Sequence, residues 1–266
     1  MHSFYWKKPL ILAHRCVYPG YPENTLISLR KVIEEGADYV EVDCEFTRDH
    51  RIVVSHDSTV DRCTEELGKI SEMNFSDLRK LNAAHYLHNI QFQTEPIPLF
   101  EEILQILQPT GLRAELHIKN LEVLDAEEYP EENVPDLLIK YGMEERCNIN
   151  IDILTPAEFL YEFPRFQKLR FTQNAYLDPV SSVDIRYSRL KIILEALQSA
   201  RFFGLDLSPA TIDAKVCQMV HDANLELQCY PTNDIAEMRR LIECGCDVIQ
   251  TDRMDLLKNI RSSLGY

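Results

Sequence analysis

Short apolar runs alternate along the chain with longer stretches in which apolar positions recur every three or four residues. These are the signatures of buried strands and of amphipathic helices. Strands are predicted at 10–14, 39–43, 51–56, 113–118, 147–152, 169–173, 202–207, 225–230 and 247–252. Between them, "PENTLISLRKVIEEG" reads as a helix, with Pro22 at its start, Asn24 as N-cap and Gly36 as its stop. "LFEEILQIL" is a second helix, and "SDLRKL" a weaker one begun by a Ser76 cap.

The alternation implies βα units around a parallel sheet, but nine strands are one more than a (β/α)8 barrel uses. Connection lengths single out the extra strand. Only Arg48, Asp49 and His50 separate "EVDCEFT" from "RIVVSH", whereas a parallel crossover needs a dozen residues or more. The two arms therefore form an antiparallel hairpin, in which the second strand runs past the barrel rim and its return arm ends at His56. Residues 57–99 are too long for a simple loop and read as an insertion covering the barrel mouth. The expected architecture is an α/β TIM barrel, (β/α)8, with a β-hairpin extension and an insertion after the second strand. Residues 1–266 are read as a single domain.

Composition changes the picture in two ways. A formal net charge of −15 argues against nucleic acid or an anionic membrane as a general partner, so any phosphate must be bound by a local cationic cluster. The apolar run "PLILAHR" is too short for a signal core or a membrane span, and the reading is a soluble, cytoplasmic protein with no integral membrane segment. Eight cysteines without paired C-x-x-C spacing, including Cys44, Cys147 and Cys229 in apolar runs, read as reduced and buried thiols.

The chemistry gathers in "YVEVDCEFTRDHRIVVSHD". Strand side chains alternate, so Glu41 and Asp43 share a face, and two unpaired carboxylates inside a barrel require a cation, a proton or a metal ion. A structural pair bridged to Arg15 and Lys119 is the plain alternative to a metal site. The hairpin returns His56 to the rim where these acids end, and barrel active sites lie at that C-terminal face.

"AHR" followed by "PENT", then "GADYVEVD", "VVSHDSTVDRCT", "IPLFEEIL" and "GCDVIQTDRMDLL" resemble the glycerophosphodiester phosphodiesterase family in order along nearly the whole chain. The resemblance implies hydrolysis of a phosphodiester with a divalent metal, Mg2+ or Ca2+ with Mn2+ as a further option, through attack by a neighbouring substrate hydroxyl. It implies His14 and His56 as acid–base groups, Arg15 and Lys119 as phosphate ligands, and Glu41 and Asp43 as metal ligands. The family's Trp-Thr motif is answered here by "CYPT", which leaves Tyr230 as a partial aromatic wall for the substrate.

Two departures stand out. The family's His-Arg-Gly reads His14-Arg15-Cys16, which implies a narrower or reshaped phosphate pocket. Its Glu-x-Lys reads His117-Ile118-Lys119, so the third metal carboxylate is replaced by His117 or supplied by Glu115 from two residues earlier. Spacing to Lys119 favours His117. The expected function is release of glycerol phosphate and an alcohol from glycerophosphodiesters. Lysophospholipase D or cyclising chemistry on the same barrel is the enzymatic alternative, and a weak or inactive binder of phosphorylated ligands is the alternative of another class.

Overall fold

The computed structural model describes residues 8–118, 133–151 and 169–266. Eight strands are those of a (β/α)8 barrel and one more is hairpinned to them. In chain order they are β1 (Leu10–Ala13), β2 (Tyr39–Phe46), β3 (Ile52–Val54), β4 (Arg113–Ile118), β5 (Cys147–Ile151), β6 (Arg170–Asn174), β7 (Gly204–Leu207), β8 (Glu226–Cys229) and β9 (Val248–Thr251). All nine expected strands form. The chain divides into two compact units, Ala13–Cys147 and Met1–Leu12 with Asn148–Tyr266.

The Ala13–Cys147 unit carries the hairpin. β2 pairs antiparallel with β3, with Cys44 opposite Val54 and Phe46 opposite Ile52. On its other edge β2 pairs parallel with β4, which sets Glu41 beside Glu115 and Asp43 beside His117. Helix α1 (Leu26–Glu34) begins one residue later than an Asn24 cap would give. The cap is Thr25, whose hydroxyl accepts the Ser28 N–H. Asn24 instead has φ of 52° and is buried, so it has been diverted to another task.

Residues 57–99 fold around their own apolar cluster of Val60, Ile70, Leu78, Ala83 and Ile97, packed on Val53. The short helix α2 (Phe75–Leu78) starts from Asn74, not Ser76. Asp49 in the hairpin turn accepts the Phe75 N–H at 2.8 Å and so substitutes for a side-chain cap. Helices α3 (Phe100–Leu107) and α4 (Val134–Lys140) complete the described elements of this unit. The acid-rich stretch "NLEVLDAEEYPEENVP", residues 120–135, which reads as a solvated loop, lies mostly outside the described residues.

In the other unit β5 to β9 are successively parallel and alternate with α5 (Val183–Ser199), α6 (Ala214–Asp222) and α7 (Ile235–Cys244), with α8 (Met254–Ser263) closing the chain. Gly204 is required where β7 is squeezed between its neighbours, because a Cβ there would meet the Glu226 carbonyl oxygen at 2.8 Å and Thr172 at 3.2 Å. All eight cysteines are free thiols, and Cys16, Cys44, Cys147, Cys217, Cys229 and Cys246 are buried. Among the described residues no helix is long and apolar enough to cross a membrane.

Candidate active site

Every side chain of the site built here belongs to the Ala13–Cys147 unit. Its floor comes from register. Because β2 and β4 are parallel and in step, the alternation that puts Glu41 and Asp43 on one face also brings His117 beside them. Single ligand atoms of Glu41, Asp43 and His117 lie within 4.8 Å of one another. His117 Nδ1 is 3.5 Å from Asp43 Oδ1 and 3.8 Å from Glu41 Oε1. Among the described residues this trio does not include Glu115, which is buried at the Glu41 level of β4.

At the end of β1 a single 3-10 turn, His14–Cys16, folds the chain over the acids. Arg15 and Cys16 both take left-handed backbone angles, φ of 50° and 53°. This turn aims the Arg15 N–H at Glu41 Oε2 (2.8 Å) and holds His14 Nε2 3.7 Å from the same oxygen. The Cys16 side chain packs toward β2. It is fully buried, and its thiol donates to the Glu41 carbonyl oxygen at 3.1 Å.

Asn24 joins the turn to the floor. Its backbone N–H donates to the Arg15 carbonyl at 2.7 Å, and its side-chain amide donates to Asp43 Oδ2 at 3.0 Å. The left-handed conformation is what lets one residue do both, and asparagine tolerates it better than most. The Arg15 guanidinium reaches Glu23 (3.3 Å), so the plain alternative of an Arg15 ion pair with Glu41 and Asp43 is not what forms. His56, just beyond β3, bonds Asp57 through Nδ1 at 2.6 Å. That bond fixes one ring edge and directs Nε2 away from the carboxylate.

Burial, and then the charge of Asp43, push the Glu41 carboxyl above its usual range; His14, His117 and the Arg15 N–H pull the other way without prevailing. Two buried acids and an imidazole at these separations have the charge and the donor set for a divalent cation, chiefly a hard one with an admixed nitrogen ligand. The residues present thus fit the expected metal. Asp57 shows the opposite balance, because burial raises its carboxyl but bonds from His56 and Arg62 hold it below the ordinary range.

The profile of the glycerophosphoryl diester phosphodiesterase family matches residues 14–256. The chain belongs to that family. By class it is a phosphodiesterase. A glycerophosphodiester phosphodiesterase of Caldanaerobacter subterraneus is 27% identical over 262 residues, covering 95% of this chain and 98% of the relative. Among solved structures, an Oleispira antarctica phosphodiesterase in complex with the product sn-glycerol-3-phosphate has a TM-score of 0.78 at 22% identity, covering 97% of this chain and 99% of that one. A glycerophosphodiester phosphodiesterase from Agrobacterium tumefaciens has a TM-score of 0.76 at 22% identity, covering 94% and 99%. At these identities the two structures speak for the fold.

Within this family member the sequence reading brought His14, Arg15, Glu41, Asp43 and His117 to one place, with His56 tied to Arg15 through a chain of side chains. Lys119 lies outside the described residues. Tyr230 belongs to the other unit, at the end of β8, and its hydroxyl donates to the Ala175 carbonyl at 3.1 Å. Sequence reasoning missed Glu23, Asp57, Arg62 and Tyr86, and it misread Asn24 as a helix cap. The signal for Glu23 and Asn24 was inside the quoted "PENT", whose acid and amide a helix start does not need.

Proposed function

We propose that this protein is a divalent-metal-dependent hydrolase that cleaves glycerophosphodiesters to glycerol phosphate and an alcohol. The observation that carries this reading is the convergence of Glu41, Asp43 and His117 within 4.8 Å beneath a turn that presents His14 and Arg15. A bound divalent cation supplies positive charge where the phosphoryl oxygens gain negative charge. Glu41, Asp43 and His117 are the residues that would hold it. Arg15, joined by Lys119, binds the phosphodiester and stabilises the same developing charge. His14 and His56 divide the proton traffic, one taking the proton of the attacking hydroxyl and the other donating to the leaving oxygen. The product named in the Oleispira structure, sn-glycerol-3-phosphate, is what this division of labour releases.

The test is release of sn-glycerol 3-phosphate from glycerophosphocholine with magnesium or calcium, and its loss in excess chelator. Undiminished turnover in chelator removes the metal from the mechanism, and turnover confined to acylated lyso-lipids replaces the substrate assignment with a lysophospholipase D.

A further inference from the structure

We infer that Arg62 is a positioning residue that ties His56 and Arg15 into one unit, with Asp57 and Glu23 as its two handles. The inference rests on the reading of this site as a phosphodiesterase centre. Four ion pairs run in sequence from one proposed catalytic group to the other. His56 Nδ1 bonds Asp57 Oδ1 at 2.6 Å, and Arg62 Nε donates to Asp57 Oδ2 at 2.5 Å. Arg62 then donates through both terminal nitrogens to Glu23, at 2.9 and 2.6 Å, and Glu23 Oε1 accepts from the Arg15 guanidinium at 3.3 Å. Glu23 is itself held from behind, since its backbone N–H donates to the Tyr86 hydroxyl at 2.9 Å. Both Arg62 and Tyr86 come from the insertion that follows β3.

The guanidinium suits this place for a geometric reason. Its Nε edge serves one carboxylate while its terminal fork serves another, and a lysine ammonium has no such pair of fixed edges. The arrangement also makes little sense as a stability device. The Arg62 side chain is 41% exposed, and ion pairs of that kind contribute little to folding. What it does achieve is control of two competing contacts. Asp57 is oriented so that Nδ1 of His56 is engaged and the ring is held in one orientation. Glu23 has most of its charge satisfied by two short bonds from Arg62, so its hold on Arg15 stays long and Arg15 remains available to phosphate. Without Arg62, Asp57 can turn from His56, and Glu23 competes with the substrate phosphate for Arg15.

These two arms separate kinetically. On glycerophosphocholine, Arg62→Met should lower kcat by about tenfold and raise KM several-fold, because both arms fail. Asp57→Asn should lower kcat alone. Adding Arg62→Met to Asp57→Asn should then raise KM with no further loss of kcat, the non-additivity expected of residues in one chain. Arg62→Lys should recover kcat or KM but not both. Lys69→Met, which breaks an exposed Lys69–Glu72 pair in the same segment, serves as the unaffected control. The inference is overturned if Arg62→Met keeps both constants within about twofold of wild type, or if the two kcat losses simply multiply. Should the wild-type protein turn over neither glycerophosphocholine nor bis(4-nitrophenyl) phosphate, the phosphodiesterase reading fails by itself. The positioning role is then decided by two binding-state measurements on Arg62→Met. Weaker calorimetric affinity for inorganic phosphate and loss of the Nδ1-protonated signature in the His56 15N spectrum uphold it; both unchanged overturn it.

Discussion

Replacing Glu41 by Gln should make the metal-free protein more stable and deprive it of stabilisation by magnesium. Glu41 and Asp43 are 5% and 0% exposed, and the trio's ligand atoms lie within 4.8 Å. Two unit charges at that separation repel by about 3.5 kcal/mol at an effective dielectric constant of about 20. Relaxation of the site and the weaker bond that an amide oxygen accepts from the Arg15 N–H take back part of this, which leaves an expected gain of about 1–3 kcal/mol in chelator. The amide keeps an oxygen for the Arg15 N–H and offers its NH2 toward Asp43, so no buried donor is stranded. The sign with pH follows from the raised Glu41 carboxyl, whose causes are burial and then Asp43. Its stabilising contribution is complete below the unfolded value of about 4.3 and is lost as pH rises through the higher folded value. The advantage of Glu41→Gln therefore widens toward neutral pH. The assay is urea unfolding in chelator at several pH values, repeated with magnesium. Wild type should gain about 2.7 kcal/mol at a magnesium concentration of 100 Kd, and the variant far less. A variant less stable than wild type in chelator, or equally stabilised by magnesium, refutes the reasoning.

Asn24→Ala should cost about 2–4 kcal/mol in urea unfolding, from a lost bond to a buried carboxylate and a left-handed alanine, whereas Thr25→Ala loses only a cap of about 1 kcal/mol. Equal costs would contradict the assignment of Asn24 to Asp43. His117→Glu should tighten magnesium binding by calorimetry and lower stability in chelator, since it adds a third buried negative charge; unchanged affinity would remove His117 from the metal shell. His56→Ala should reduce kcat on glycerophosphocholine by about 10²–10⁴, and much less on bis(4-nitrophenyl) phosphate if His56 is the acid. Wild-type kcat in that variant would take His56 out of the mechanism. In the other unit, the Asp247 bond raises the His221 imidazole. Its contribution is present below about pH 6.5 and lost as pH rises through the higher folded value, so His221→Gln should flatten the thermal midpoint across that window. An unaltered slope counts against it.

The barrel was legible because its strands are buried on both faces and read as continuous apolar runs, and because three residues between β2 and β3 cannot carry a parallel crossover. The acid pair was legible for the same reason in reverse: carboxylates at positions 41 and 43 contradict the burial of the strand that carries them. What periodicity could not convey was contact between distant segments. Arg62 lies 39 residues from Glu23, and nothing local distinguishes it from an ordinary surface arginine. Asn24 was misread because its residue type suits two environments. A residue before a helix and rich in hydrogen-bonding groups is a cap by local rules, yet Thr25 was the better placed of two neighbours, and the pull of buried Asp43 decided the matter.

The two departures from the family motifs now carry different weight, and backbone geometry is what separates them. At position 16 the chain needs a left-handed residue, which explains a glycine there and assigns a cysteine a conformational cost of about 1–2 kcal/mol. The cysteine thiol offsets part of that cost: it is buried and donates to the Glu41 carbonyl at 3.1 Å. Burial pushes the thiol's pKa well above its usual value, so it adds no charge next to the acids. The substitution is absorbed on the side of the turn that faces β2, where the Arg15 N–H and His14 also approach Glu41. At position 117 no such absorption is available. Strand register delivers whatever residue stands there to within 4 Å of Glu41 and Asp43, so exchanging a carboxylate for an imidazole changes the charge of the site itself. Glu115 cannot repair this by register alone, since it is held one pleat repeat lower at the level of Glu41. On the proposed reading, the divergence at position 117 therefore bears on how tightly the Glu41, Asp43 and His117 cluster would hold a cation.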